Sequence, residues 1–98
     1  MVEHLVLFKL KPDATEEQKE AAIRALQGLK KQMDGIVDLT CGRNFSERSQ
    51  GFEIGLVVRF QDRAALDVYL PHPAHRGCVE TYVNPIREDV IVVDYEIG

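Results

Sequence analysis

His4-Leu5-Val6-Leu7-Phe8-Lys9-Leu10 is the stretch on which the fold turns. It is dense in residues that favour strands, and Lys11-Pro12-Asp13 ends it, because proline lacks the N–H that a ladder needs. The reading is a strand over 4–10. Its apolar residues are consecutive, and the same holds at Leu56-Val57-Val58 and Val90-Ile91-Val92-Val93. An antiparallel sheet with one wet face alternates apolar and polar side chains, whereas these runs ask for cover on both faces.

Working outward, Thr15 is placed to cap a helix, and Gln18 three residues on completes a capping-box pattern. Ala22, Leu26, Leu29 and Met33 recur at helical spacing, widened by Ile23, so a helix is predicted to about Met33 with a stop at Gly35. Ile36 to Asn44 reads as a short irregular strand, Ser46 to Gly51 as a polar turn, and Phe52 to Phe60 as a third strand. Asp62 is placed to cap a second helix with Ala65, Leu66, Tyr69 and Leu70 on its inner side. Pro71 ends it, and Pro73 suits the first turn of a further helix to about Val83. A last strand runs from Glu88 to Ile97. The order β-α-β-β-α-β predicts an α+β domain of the ferredoxin-like kind, one four-stranded antiparallel sheet with helices on one face. Helices cover only that face, and a second copy of the sheet is the economical lid for the other. A homodimer packed sheet to sheet about a two-fold axis is therefore expected.

Ninety-eight residues make one domain, 1–98, with an ordinary balance of 45% hydrophobic and 29% charged residues. The net charge of −4 comes without a basic run or a basic patch interleaved with aromatics, which argues against nucleic acid as a partner. No phosphate loop or dinucleotide fingerprint is present. No apolar run nears the ~20 residues that cross a bilayer, and the opening residues lack a signal-peptide pattern, so no membrane partner and a cytoplasmic location are expected. Cys41 and Cys78 stand alone and read as free thiols.

Tyr69-Leu-Pro-His-Pro-Ala-His75 carries the chemistry. Two prolines stiffen the turn, and histidine has the side-chain pKa nearest neutrality. After Pro73, His75, Cys78, Val79 and Tyr82 fall on one helical face, so His75 is directed inward. Tyr69 lies on the inner side of the preceding helix, and His4 shares a strand face with Val6, Phe8 and Leu10. Tyr69, His75 and His4 are thereby expected on one pocket, walled by Phe8, Phe52, Ile54, Leu56, Val79 and Tyr82. Arg76, beside His75, is a candidate for an anionic substrate group. Each histidine also has an ordinary structural reading, as a core ring bonded to a carbonyl. His72 reads as a turn or cap residue, and Pro73 separates it from His75, so no metal site is expected.

With these pieces in order along nearly the whole chain, the sequence resembles the stress-responsive dimeric α/β-barrel (Dabb) family. The matching pieces are the His4–Lys11 opening, Gly42-Arg-Asn-Phe-Ser46, Gly51-Phe52, the Tyr69–His75 segment and the closing Asp89–Tyr95. The resemblance implies a ferredoxin-like monomer and a homodimeric barrel of two four-stranded sheets. The Tyr69–His75 segment is similar to that of polyketide cyclases of the family, which close a linear poly-β-keto thioester by aldol condensation with a His/Tyr pair and no cofactor. That implies His75 and Tyr69 as catalytic, with His4 beside them, and a small apolar or aromatic carbonyl or thioester ligand. Leu70-Pro71 and Cys78-Val79-Glu80 depart from the cyclase pattern where specificity is set. A non-catalytic stress-responsive oligomer and, by fold analogy, a cofactor-independent monooxygenase are the alternatives.

Overall fold

Period-two alternation is strict in the first strand, β1 (Val2–Leu10), where Val2, His4, Val6, Phe8 and Leu10 are buried and the residues between them are half-buried. The computed structural model describes residues 1–97. After β1 come α1 (Glu16–Gln27), α2 (Leu29–Gln32), β2 (Ile36–Arg43), β3 (Phe52–Phe60), α3 (Arg63–Tyr69), α4 (Pro73–Cys78), a π-helical turn (Val79–Val83) and β4 (Arg87–Glu96). The strands form one antiparallel sheet in the order β2-β3-β1-β4. The ferredoxin-like expectation is met.

Thr15 caps α1 with both halves of the capping box: its hydroxyl accepts from the Gln18 N–H at 3.1 Å, and the Gln18 side chain accepts from the Thr15 N–H at 2.9 Å. Thr15→Ala is expected to lower the unfolding free energy by about 1 kcal/mol, read from a denaturant midpoint. The single helix expected to Met33 is instead two. Gly28 separates them, and its N–H reaches back to the Arg24 carbonyl as a cap. Glycine is a poor helix-interior residue, and the break leaves both Leu26 and Leu29 fully inward. The β2–β3 connection, residues 44–51, closes on Gln50 and Gly51 at positive φ, 53° and 87°.

The core lies between the sheet and the helices. Val6, Phe8, Ile54, Leu56, Val58 and Phe60 meet Leu26, Leu29, Leu66 and Tyr69 there. Among the described residues no helix covers the other face of the sheet. Leu5 sits between Val57 and Val93, and Leu7 between Gly55 and Ile91, so one apolar field crosses three strands. Ile91, Val93 and Tyr95 are exposed on it.

The helix after Pro73 departs from the expected spacing. From Val79 it widens to a π turn, closed by an Asn84 N–H to Val79 carbonyl bond at 2.8 Å. The extra residue per turn rotates the face. Val83 comes inward, and Tyr82, expected inside, is exposed.

Candidate functional site

Three elements bring the titratable rings together. β1 presents His4 on its inward face, α3 ends on Tyr69, and α4 carries His75. His72 starts α4 as its N-cap, its Nδ1 accepting from the Ala74 N–H at 3.0 Å, with Pro73 in the first turn. The Tyr69 and His75 ring centroids are 4.3 Å apart, and those of His4 and Tyr69 are 5.8 Å apart. Phe60 backs Tyr69 at 5.0 Å. His4 and His75 line a cavity of about 260 Å³ whose walls are otherwise mainly apolar. Half-exposed Leu70 and Val92 mark its mouth beside β4.

Hydrogen bonds fix both imidazoles. His75 Nδ1 donates to the Leu70 carbonyl at 2.9 Å, because a carbonyl only accepts, and this assigns the lone pair of the neutral ring to Nε2. His4 Nδ1 is bonded to the Asp94 carboxylate, which orients that ring in the same way. Burial lowers the pKa of His75 below its ordinary 6.5, against an opposing pull from the Leu70 bond, and His4 lowers it further. Its neutral, basic form is therefore favoured near pH 7. Tyr69 is almost wholly buried, and its hydroxyl has no hydrogen-bond partner among the described residues. Burial raises its pKa, so it stays a proton donor. Burial also pushes the Cys41 thiol up to about 12 and raises Cys78, which leaves both as unreactive thiols.

The expected pocket is assembled only in part. His4, Phe8, Leu56, His75 and Val79 line the cavity, and Tyr69 packs on its two histidines. The other expected wall residues lie elsewhere. Ile54 is enclosed in the core beside Phe8, and Phe52 sits opposite Lys9, where the β1–β3 register slips. Tyr82 is turned out by the π turn. Arg76 is exposed and lies 3.9 Å from Glu80, one helical turn away. Two polar lining residues escaped the sequence reading, Asp94 and Arg87. The signal for Asp94 is its register opposite His4, visible only once β1 and β4 are paired.

A second depression of about 360 Å³ is lined by Tyr69 but by neither His4 nor His75, whereas Tyr69 meets the first cavity only through its packing on those two rings. Its histidine, His72, is engaged as a helix cap, so it offers no comparable base. Among the described residues no group of three His, Cys, Asp or Glu side chains is arranged to hold a metal, and no helix is long and apolar enough to cross a membrane.

Known proteins resemble this chain over nearly its whole length. A stress-response A/B barrel domain-containing protein of Arabidopsis thaliana is 31% identical over 100 residues, covering 98% of this chain; the chain spans 37% of that protein's length. Olivetolic acid cyclase of Cannabis sativa is 27% identical over 96 residues, covering 96% of this chain and 94% of the cyclase. The crystal structure of a dimeric protein with a ferredoxin-like fold from Bacteroides fragilis superposes with a TM-score of 0.85 at 27% identity, over 98% of this chain and 95% of that one. The profile of the stress responsive A/B barrel domain matches residues 2–97, and the chain belongs to that family.

Proposed function

We propose that this chain, as a homodimer, binds a small carbonyl or thioester compound in the His4/His75 cavity and activates it by cofactor-free proton abstraction, as a cyclase does. The observation that carries this is the packing of a buried tyrosine, its hydroxyl without a partner among the described residues, against a basic imidazole: the Tyr69 and His75 ring centroids are 4.3 Å apart, and His75 Nε2 is unprotonated. A buried hydroxyl without a partner is unfavourable, and a ligand oxygen satisfies it. The likeness to olivetolic acid cyclase over nearly the whole chain supports the same reading.

The step proceeds as follows. His75 Nε2 takes a proton from the carbon beside a carbonyl, the C–H electron pair forms the enolate C=C bond, and the carbonyl π pair moves onto the oxygen. Tyr69 O–H donates to that oxygen as charge develops. The enolate carbon then forms a C–C bond to a second carbonyl carbon of the same chain, and the resulting alkoxide takes the proton back from His75. His4, held by Asp94, orients the second carbonyl. The apolar walls fold the chain so that the two carbons meet.

The test is deuterium exchange at C2 of methyl 3-oxooctanoate in D2O, followed by NMR against the buffer rate. Only the neutral imidazole accepts a proton, so the rate falls as pH drops through the pKa of His75. Because burial lowers that pKa, the midpoint of the acid limb is expected below 6.5. Tyr69, with its pKa raised, is expected to add no falling limb below about 10. Exchange no faster than buffer, or an acid midpoint above 6.5, would overturn the assignment.

The second copy of the dimer is assigned to the helix-free face of the sheet. The apolar field on Leu5, Leu7, Val57, Ile91 and Val93 supports this, and so does the dimeric Bacteroides fragilis protein.

A further inference from the structure

We propose that Arg87 is the anion-binding residue of the cavity, and that the ligand is a medium-chain acyl compound with a carboxylate at one end. This deepens the cavity-binding part of the reading above by naming the substrate class. Arg87 is the lone cationic side chain on a lining of aliphatic residues, Phe8, two histidines and Asp94. Asp94, the lone acid there, is bonded to His4. Among the described residues Arg87 has no ion-pair partner. Elsewhere on the sheet Arg59 is paired with Glu3 at 2.9 Å, and Arg43 with Glu16 at 2.8 Å. A half-buried arginine that lines an apolar cavity, with no carboxylate paired to it among the described residues, is an incomplete pair.

The backbone is built to put it there. The β1–β4 register runs Phe8 to Val90 and Lys9 to Asp89, and then slips so that Leu10 faces Arg87 instead of Glu88. Without the bulge, Glu88 would take the inward position beside Leu10. With it, Arg87 joins the inner face, while Glu88 is exposed and lies 3.9 Å from Lys9. Bulges beside sites commonly re-aim a side chain in this way. Guanidinium is planar and matches a carboxylate with two parallel hydrogen bonds. The cavity admits a ligand on the order of ten heavy atoms.

The experiment uses octanoate and the uncharged octanamide, titrated into the 15N-labelled full chain. Octanoate is expected to bind about tenfold more tightly than octanamide, with shifts at His75, Val79 and Arg87. In Arg87→Gln the two affinities are expected to converge, and Arg87→Lys to retain part of the preference. Arg87→Gln is also expected to keep the wild-type 15N spectrum away from the cavity, which shows that the fold is intact. Equal affinities in the wild type, an unchanged preference in Arg87→Gln, no binding up to about 10 mM, or shifts confined to another face would each overturn the proposal. Loss of octanamide binding together with octanoate binding in Arg87→Gln would do so too, because Arg87 would then serve the cavity's structure. If the carboxylate preference holds while His75→Ala leaves exchange untouched, the proton-abstraction chemistry fails and the Arg87 site stands.

Discussion

His75→Ala is expected to lower the exchange rate of methyl 3-oxooctanoate by about 10²–10⁴-fold, the usual contribution of a positioned general base. Tyr69→Phe is expected to lower it by about 10²-fold through loss of the donor to the developing oxyanion. The two variants should part company in stability. Among the described residues the buried Tyr69 hydroxyl has no partner, so removing it relieves a desolvation penalty. Tyr69→Phe should therefore stabilise the fold by on the order of 1 kcal/mol. That corresponds to a rise in Tm of about 4–8 °C for a domain of this size. His75→Ala instead removes a ring packed on Tyr69 and its bond to the Leu70 carbonyl, and should destabilise. A hydroxyl that serves only the fold would give the reverse, a less stable Tyr69→Phe with unchanged exchange. His75→Gln keeps more of the packing and loses the base, so it separates lost chemistry from lost structure if the alanine variant is poorly folded. Calorimetry and exchange NMR on the same samples decide between these outcomes.

The elements that the sequence revealed are those fixed by local rules. β3 is bounded by a polar turn and an Asp cap, and its inward residues Ile54, Leu56, Val58 and Phe60 follow period two; it was read over its full length. Thr15 with Gln18, Asp62, and Pro73 marked three helix starts through capping chemistry that acts within four residues. What stayed hidden depends on residues far apart in the chain. Nothing local in Val79–Val83 announces a π turn, because an inserted residue is tolerated only where packing repays the poorer geometry. That single residue moved Tyr82 out and Val83 in. Asp94 and Arg87 became site residues only through β1–β4 pairing, and Arg87 only through a slip in that pairing. The Tyr69–His75 segment was legible as a candidate site because proline, histidine and tyrosine restrict both backbone and chemistry. Its apolar walls were not, because many aliphatic residues satisfy the same inward pattern.

Leu7→Asp is expected to convert the protein from a dimer to a monomer at micromolar concentration in sedimentation. Leu7 lies at the centre of the helix-free face, between Gly55 on β3 and Ile91 on β4. In an isolated chain this position is half-buried and borders solvent, and a carboxylate there would lower stability by on the order of 1 kcal/mol. In a two-fold dimer packed through this face each interface receives two aspartates, one from each copy. Burying an unpaired carboxylate costs several kcal/mol per ion, so the dimer should weaken by more than about 10³-fold. The monomer released would expose Leu5, Val57, Ile91 and Val93 together, a contiguous apolar patch of the kind that soluble monomers rarely present. It should therefore bind a hydrophobic dye and aggregate at higher concentration, while its circular dichroism keeps the signature of the folded sheet and helices. The His4/His75 cavity lies on the opposite face of the same sheet, lined by one chain. Octanoate binding by the Leu7→Asp monomer should therefore persist within a few-fold. A wild-type chain that sediments as a monomer would overturn the assignment of this face, as would a Leu7→Asp variant that stays dimeric.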